Sequence, residues 1–305
     1  MMMIVRRSFF LSLVLLFLPA CFADKQTTVV SRVNVVNGQG SVCTEMLQML
    51  SLTGITHDGS LQDIVRETQK SWLRKPGAER WEMPSTSMAQ ESEMRLLIDR
   101  MGFIQEVKPQ QKSYTYLLLL GALFSTVAAR MEYAVDLWKS GVRFEKIVLL
   151  GGARPMTSEQ GENLEKFLEW SGKSYLDYEP KTETDLLRFV IENIAMPDEM
   201  KALPVTVVDV PMLQKPDGSM RRPTTGDTIE WWLKTNPEPG TCLAISNQPY
   251  VIYQDAVLKT LLPAQFPVDT VGDKAQEDKE LGILLDTLAR VLYQEQQYLM
   301  EYKAL

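Results

Sequence analysis

Short apolar runs alternate with longer amphipathic segments over the second half of the chain. Continuous apolar runs of about four to eight residues are typical of strands buried in a parallel sheet. Apolar residues repeated every three or four positions predict helices. The predicted strands cover residues 116–121, 147–150, 175–178, 205–210, 241–246 and 266–271. This alternation predicts an α/β fold, with a Rossmann-like parallel sheet flanked by helices.

Helical spacing also extends before and after this region. The predicted helices cover residues 41–52, 61–72, 91–101, 124–140, 157–170, 182–193, 225–234, 250–262 and 277–302. We therefore predict a helical and irregular N-terminal region packed on the core over residues 24–112, following a leader over 1–23. The α/β core covers 113–272, and a long C-terminal helix lies within 273–305.

A segment rich in Pro, Gly, Trp and Arg interrupts the N-terminal region over residues 72–87. A long irregular loop needs large apolar anchors, so Trp72 and Trp81 are predicted to pack it onto the main domain. The alternative is a basic lid over a cleft, formed by Arg74, Lys75 and Arg80.

The first 23 residues have the pattern of an export signal. Arg6 and Arg7 form the charged start, and an apolar stretch of signal-peptide length follows over residues 9–18. Small side chains at the required positions fit cleavage after Ala23, which predicts a periplasmic or secreted protein. The Leu-Pro-Ala-Cys21 sequence also resembles a lipobox, and lipid on Cys21 would anchor the protein to a membrane. An uncleaved anchor is the third alternative.

The charge balance argues against one class of partner. Loss of residues 1–23 leaves 30 basic and 39 acidic residues, a net charge of −9. A chain this acidic is poorly suited to nonspecific binding of nucleic acid, so no nucleic-acid partner is predicted.

Cys43 and Cys242 remain after the predicted cleavage. In an oxidising compartment they form a candidate disulfide, and the alternative is two unrelated thiols. His57 is the single histidine, and it lies in a turn-like segment. With so few nitrogen and sulfur ligands, the sequence predicts no metal site.

The most informative stretch of the core covers residues 145–167. Its apolar strand ends at Gly151 and Gly152, and Thr157 with Gln160 three residues later predicts a capped helix start. In parallel sheets ligands bind where strands end and helices begin, and a glycine pair lets a ligand approach the backbone. Plain turn geometry is the alternative. The sequence contains no dinucleotide fingerprint and no P-loop motif, so it assigns no cofactor.

Three predicted helix starts share a Pro, a basic residue and a Thr, in the sequences ARPMTSEQ, EPKTETD and RRPTTGD. Helix capping explains the Thr, Asp and Pro residues. It does not explain the basic residues, which are Arg154, Lys181, Arg221 and Arg222. Because these loops emerge at one edge of a parallel sheet, we expect a site for an anionic or polyhydroxyl ligand there. Glu159 and Glu183 lie in first helical turns, where they accept hydrogen bonds from ligand hydroxyls or complement the helix dipoles.

The order of these motifs resembles the SanA/YdcF-like proteins, bacterial proteins with a Rossmann-like domain linked mainly to envelope biogenesis. The resemblance covers residues 114–272. It rests on a Gly-ended strand, a helix with Arg130, the Gly151-Gly152 strand end, Glu159 at a helix start, and Glu179 with Thr182 and Thr184. After the predicted strand over residues 241–246, the sequence departs from the family pattern. The expected His and Arg are absent, and Tyr250 stands about where the His would be.

Together, the residues and the resemblance predict an exported protein that binds a small polar or anionic ligand in envelope biogenesis, with turnover left open. Arg130 and Arg154 are predicted to bind anionic groups, and Glu159 to position hydroxyls or act as a base. The candidate ligand-binding residues are Gly121, Arg130, Gly151, Gly152, Arg154, Glu159, Glu179, Thr182, Ser246, Asn247, Gln248 and Tyr250. The alternative is a noncatalytic periplasmic interaction protein that uses the N-terminal region and the C-terminal helix as a partner surface. An exposed apolar stripe on that helix would favour this alternative.

Overall fold

A five-stranded parallel sheet forms the centre of the protein. The computed structural model describes residues 35–75 and 89–302, and these residues belong to one compact unit. The sheet strands are β1 (Ser113–Leu120), β2 (Arg143–Gly152), β3 (Val205–Val210), β6 (Cys242–Asn247) and β7 (Val268–Asp273). Strands β4 (Leu213–Gln214) and β5 (Met220–Arg221) form a small antiparallel hairpin. The predicted α/β fold class is therefore confirmed.

Helices cover both faces of the sheet and extend beyond it. They are α1 (Thr44–Leu52), α2 (Leu61–Trp72), α3 (Glu91–Arg100), α4 (Phe124–Lys139), α5 (Leu164–Ser171), α6 (Glu183–Asn193), α7 (Asp198–Lys201), α8 (Thr225–Leu233), α9 (Val251–Leu261) and α10 (Leu281–Tyr302). Among the described residues, no helix combines the length and apolarity that crossing a bilayer requires.

The strand order is β3-β2-β1-β6-β7, so the chain starts in the middle of the sheet, moves out to one edge, and returns to the other side. Leu120 of β1 pairs in register with Leu150 of β2, and Leu119 pairs with Ile245 of β6. The direction of winding changes between β1 and β6. The carboxyl ends of these two strands therefore flank the topological switch point, where α/β proteins usually bind their ligands.

Alternate residues of the central strands face opposite apolar layers, because successive side chains of a strand point to opposite faces. Leu117 and Leu119 belong to a layer that includes Val127 of α4 and Leu186 of α6. Leu118 belongs to the other layer, which contains residues of α8 and α9. Helices on both faces explain why these strands are continuous apolar runs.

The N-terminal helices and α10 build a third apolar cluster. Met49 of α1, Ile64 of α2 and Ile98 of α3 are buried together with Leu288 of α10, and Ile252 of α9 joins them. The mainly helical N-terminal extension and the long C-terminal helix are thus confirmed. Trp72 is also buried in this cluster, whereas Trp81 and Arg80 lie outside the described residues.

Several predicted local features are wrong. The segment over residues 175–178 is not a strand, and the short helix α7 and the β4–β5 hairpin were not predicted. Thr157 does not cap a long helix. A short 3₁₀ turn ends at Gly161, which has φ 77°, and α5 begins later with Asn163 as its cap. A residue in the left-handed region cannot continue a right-handed helix, so Gly161 separates the two pieces.

The two described cysteines are both free thiols, so the candidate disulfide is not formed in this structure. Cys43 immediately precedes α1 and packs against the third apolar cluster. Cys242 starts β6 and is fully buried in the layer beside α8 and α9. Their separation between two clusters explains why they do not pair.

Candidate functional site

The carboxyl ends of the central strands meet at one edge, as predicted. Gly121 follows β1, Gly152 ends β2, Val210 ends β3 and Asn247 ends β6. Gly152 is in register with Val210, and all neighbouring pairs are parallel. The loops that carry the candidate residues therefore emerge side by side.

Arg130 of α4 joins the carboxyl ends of β1 and β6 through hydrogen bonds from its side chain. Its side chain is 3% exposed and donates to the carbonyl oxygens of Leu120 at 2.8 Å and Gly121 at 3.1 Å. It also donates two bonds to Oδ1 of Asn247, from Nε at 3.0 Å and from Nη2 at 2.8 Å. A buried guanidinium needs such acceptors, because an unpaired buried charge is costly. These contacts indicate a structural role for Arg130 at the switch point, and its predicted binding of an anionic group stays a prediction.

Arg154, in the loop after β2, is held by a carboxylate that the sequence did not indicate. Its two terminal nitrogens each donate to an oxygen of Glu162 at 2.8 Å, and Nη2 also donates to the Ala122 carbonyl at 3.0 Å. The Glu162 side chain is 0% exposed and also accepts from the backbone N–H groups of Phe124 and Thr157. Such a fully hydrogen-bonded ion pair fixes the loop after β2 to the start of α4. The predicted role of Arg154 as an anion ligand is therefore not supported.

Glu183, the first residue of α6, places its carboxyl group at the end of β1. Its side chain is 14% exposed, and its contact to Arg154 is long, with 3.4 Å between Nε of Arg154 and Oε1 of Glu183. Its carboxyl group packs over Gly121, where an added Cβ would stand 2.6 Å from Cδ of Glu183. Burial raises the pKa of Glu183 above its usual value of 4.5, although the charges of Arg154 and Arg222 act in the opposite direction.

The glycine pair serves internal packing instead of ligand approach. A Cβ at Gly151 would meet Leu187 and Thr184 of α6 at 2.7 and 2.8 Å. A Cβ at Gly152 would stand 2.4 Å from Cγ of Pro223. Helix α6 and the loop before α8 therefore cover both glycines, and the role of the pair in ligand binding stays a prediction.

Three further candidates lie at the periphery of this edge. Glu159 is exposed on the 3₁₀ turn, and the carboxylate that binds Arg154 is Glu162. Glu179 is exposed and pairs with Lys181 at 3.1 Å. Thr182 caps α6 in a complete capping box, as its sequence predicted. None of these observations supports the ligand-binding role that was predicted for the three residues.

The last residues of β6 and the residues that follow them lie beside this edge of the sheet. Ser246 is buried, and the Asn247 amide donates to the Gln248 carbonyl, which directs Oδ1 of Asn247 to Arg130. Gln248 donates to the carbonyls of Gly102 and Gln105, both at 2.8 Å, so it anchors the loop after α3. The peptide bond between Gln248 and Pro249 is cis. This segment is mainly a scaffold, with Asn247 and Tyr250 half-buried.

The segment after the β4–β5 hairpin brings a basic side chain to the cleft. Arg221 forms a two-pronged ion pair with Asp227 at 2.7 and 2.9 Å, which holds the pKa of Asp227 well below its usual range. Asp227 also completes a capping box with Thr224 at the start of α8. Arg222 is half-buried, and its charge acts on the Glu183 carboxyl. The two side chains therefore interact electrostatically.

No protein-family model matches the chain, and no curated protein matches it at a significant level. Within residues 35–75 and 89–302, no group of three or more His, Cys, Asp and Glu side chains is arranged to hold a metal ion. Two of the charged groups near this edge, Glu183 and Arg222, interact electrostatically. The sequence had placed both in the loops where a ligand site was expected, but had not included them among the candidate ligand-binding residues.

Proposed function

We propose that the chain is a divergent SanA/YdcF-like protein that is exported and binds a small polar ligand with an anionic group, in envelope biogenesis. In this proposal the ligand lies between Glu183 and Arg222, above the end of β1. Arg222 attracts the anionic group, and Glu183 bonds a hydroxyl group. Arg130 and Arg154 act indirectly. Arg130 fixes the ends of β1 and β6 to each other, and Arg154 fixes the loop after β2 to the start of α4.

The observation that carries the proposal is the position of the Glu183 carboxyl. It lies at the carboxyl end of the central strand, next to the switch point, where α/β proteins bind ligands. It is mostly buried but still reaches solvent, and its bond to Arg154 is long at 3.4 Å. Since Glu162 already makes two short bonds to Arg154, the long contact from Glu183 adds little to that pairing.

The environment of Glu183 also suits proton exchange. A carboxyl with a raised pKa holds its proton to higher pH than an exposed one, and in that form it can donate a hydrogen bond. Such groups are characteristic of general acids and bases. The geometry thus supports binding directly, and it supplies the group through which turnover would proceed.

The test is a thermal-shift screen followed by calorimetry on the hits. The panel contains hexose monophosphates, nucleoside diphosphates, and the matching uncharged sugars and nucleosides. We expect a phosphorylated compound to bind, and Glu183→Gln and Arg222→Gln each to weaken it at least tenfold. The matched controls Glu159→Gln and Arg188→Gln change exposed residues and should leave affinity unchanged. Equal binding by Glu183→Gln and the parent would refute the proposal.

The interaction-protein alternative loses its main support. Its expected signature was an exposed apolar stripe on α10, but the apolar face of this helix is covered by the third apolar cluster. The buried residues of that face are Leu281, Leu284, Leu285, Leu288, Ala289, Val291, Leu292 and Leu299. Over residues 281–301, where the exposure of this helix is described, the large apolar side chains that are exposed are Tyr293 and Met300, and they do not form such a stripe.

A further inference from the structure

A groove between α4 and α5 uses residues that the Glu183 cleft does not. Its volume is about 520 Å³, within the roughly 300–1,000 Å³ range of ligand sites. Helix α4 contributes Ser125, Ala128, Ala129 and Glu132. This spacing places the four residues on one helical face, so a single side of α4 forms the wall.

Three of the α4 residues that line the groove have small side chains: Ser125, Ala128 and Ala129. Ala128 is buried and Ala129 is exposed, and a longer side chain at the exposed position would fill the space between the helices. Phe124 and Trp170 line the same space as large rings. Their ring centres are 5.7 Å apart at an interplanar angle of 84°, an edge-to-face contact that fixes both. The inner surface is therefore aromatic and apolar.

The rim of the groove carries acidic groups. Glu132 accepts a hydrogen bond from the Trp170 indole N–H at 3.2 Å. Because the indole N–H is a neutral donor, this bond does not neutralise the charge of the carboxylate. Glu169 is the second carboxylate on the rim, and the one basic residue in the lining, Lys166, pairs with it at 2.7 Å. The lining thus has an excess negative charge beside an aromatic surface.

We propose that this groove binds a small arylalkylammonium ion. The aromatic ring of the ligand would lie against Ala129 and Trp170, and its ammonium group would bond the oxygen lone pairs of Glu132. An anion of the same shape would meet the Glu132 carboxylate and lose affinity. The net negative charge of the chain, −7, also favours the approach of cations. This proposal does not depend on the function of the Glu183 cleft.

The experiment uses tyramine as the probe and the full purified chain labelled with ¹⁵N. The indole N–H signal of Trp170, assigned by its loss in Trp170→Phe, reports directly on the Glu132 contact. We expect a saturable shift of this signal with tyramine at millimolar concentration. The isosteric anion 4-hydroxyphenylacetate should give no saturable shift.

Three variants complete the test. Glu132→Gln keeps an acceptor for the indole N–H but removes the charge, and it should weaken tyramine about fivefold, as expected for an exposed ion pair. Ala129→Leu fills the groove and should abolish binding. Asp136→Asn removes an equal charge from the same helix, where Asp136 pairs with Lys139, and should have no effect. An absent shift with tyramine, or equal binding by Ala129→Leu, would overturn the proposal.

Discussion

Glu162 and Glu183 both contact Arg154, but the same Glu→Gln change should have different effects at the two positions. Glu162 is 0% exposed, and its oxygens accept two bonds of 2.8 Å from Arg154. An amide there would leave the Arg154 charge without its counter-ion inside the protein. Removing one partner of a buried ion pair costs about 3–5 kcal/mol. For a domain of this size, Glu162→Gln should lower Tm by roughly 6–20 °C.

Glu183→Gln should leave stability equal or higher at neutral pH. The lost contact is only the 3.4 Å bond to Arg154, and the Gln oxygen can still accept it. The carboxyl has a raised pKa, so the folded protein retains this proton to higher pH than the unfolded chain. The ionised carboxylate therefore destabilises the fold as the pH rises above 4.5. The stability advantage of Glu183→Gln over the parent should grow as the pH rises from 4.5 to the raised pKa of Glu183, and it should level off above that pKa.

Urea unfolding of the two variants and the parent, at pH values below and above 4.5, measures both effects. Glu159→Gln is the control, because Glu159 is exposed on the 3₁₀ turn. The control should follow the parent at every pH. A large stability loss in Glu183→Gln, equal to that in Glu162→Gln, would show that both carboxylates are structural and would refute the reasoning.

Three further predictions concern the scaffold. Arg130→Ala should lower the free energy of unfolding by about 2–4 kcal/mol, because buried acceptors lose a charged donor; an unchanged urea midpoint would contradict this. Gly152→Ala should cost about 1–3 kcal/mol through its clash with the proline ring that covers it. Gly226→Ala should cost less, because its nearest neighbour would be a flexible leucine methyl at 3.2 Å; equal urea midpoints would count against this packing. Burial raises the pKa of Cys242 to about 12 and also raises that of Cys43, so both should resist alkylation at neutral pH and appear as thiols in a nonreducing peptide map. A linked Cys43–Cys242 peptide would disprove their separation.

The sheet could be predicted from the sequence because burial on both faces forces its strands to be continuous apolar runs. The helix starts at Thr182 and Thr224 follow from local rules as well, since capping boxes involve residues only three positions apart. The same rule failed at Thr157. There the left-handed conformation of Gly161 ends the turn, and the spacing of Thr and Gln does not encode that conformation.

The contacts of the site could be predicted only in part. The sequence singled out Arg130, but not the backbone carbonyls and Asn247 that accept its hydrogen bonds. It singled out Glu159 to position ligand hydroxyls, but it did not indicate Glu162, the carboxylate that binds Arg154. The covering of Gly152 by Pro223 joins segments distant in the chain. Such contacts depend on tertiary packing, which a local pattern does not specify.

The central claim is that a small anionic ligand occupies the space between Glu183 and Arg222. The most direct measurement is a crystal structure of the protein with a phosphorylated compound that passes the thermal-shift screen. We predict electron density above Gly121, with a hydroxyl of the compound within hydrogen-bond distance of the Glu183 carboxyl and its phosphate on the Arg222 guanidinium. Density for the compound elsewhere on the protein, with the Glu183 carboxyl contacting only Arg154 and Gly121, would contradict the claim.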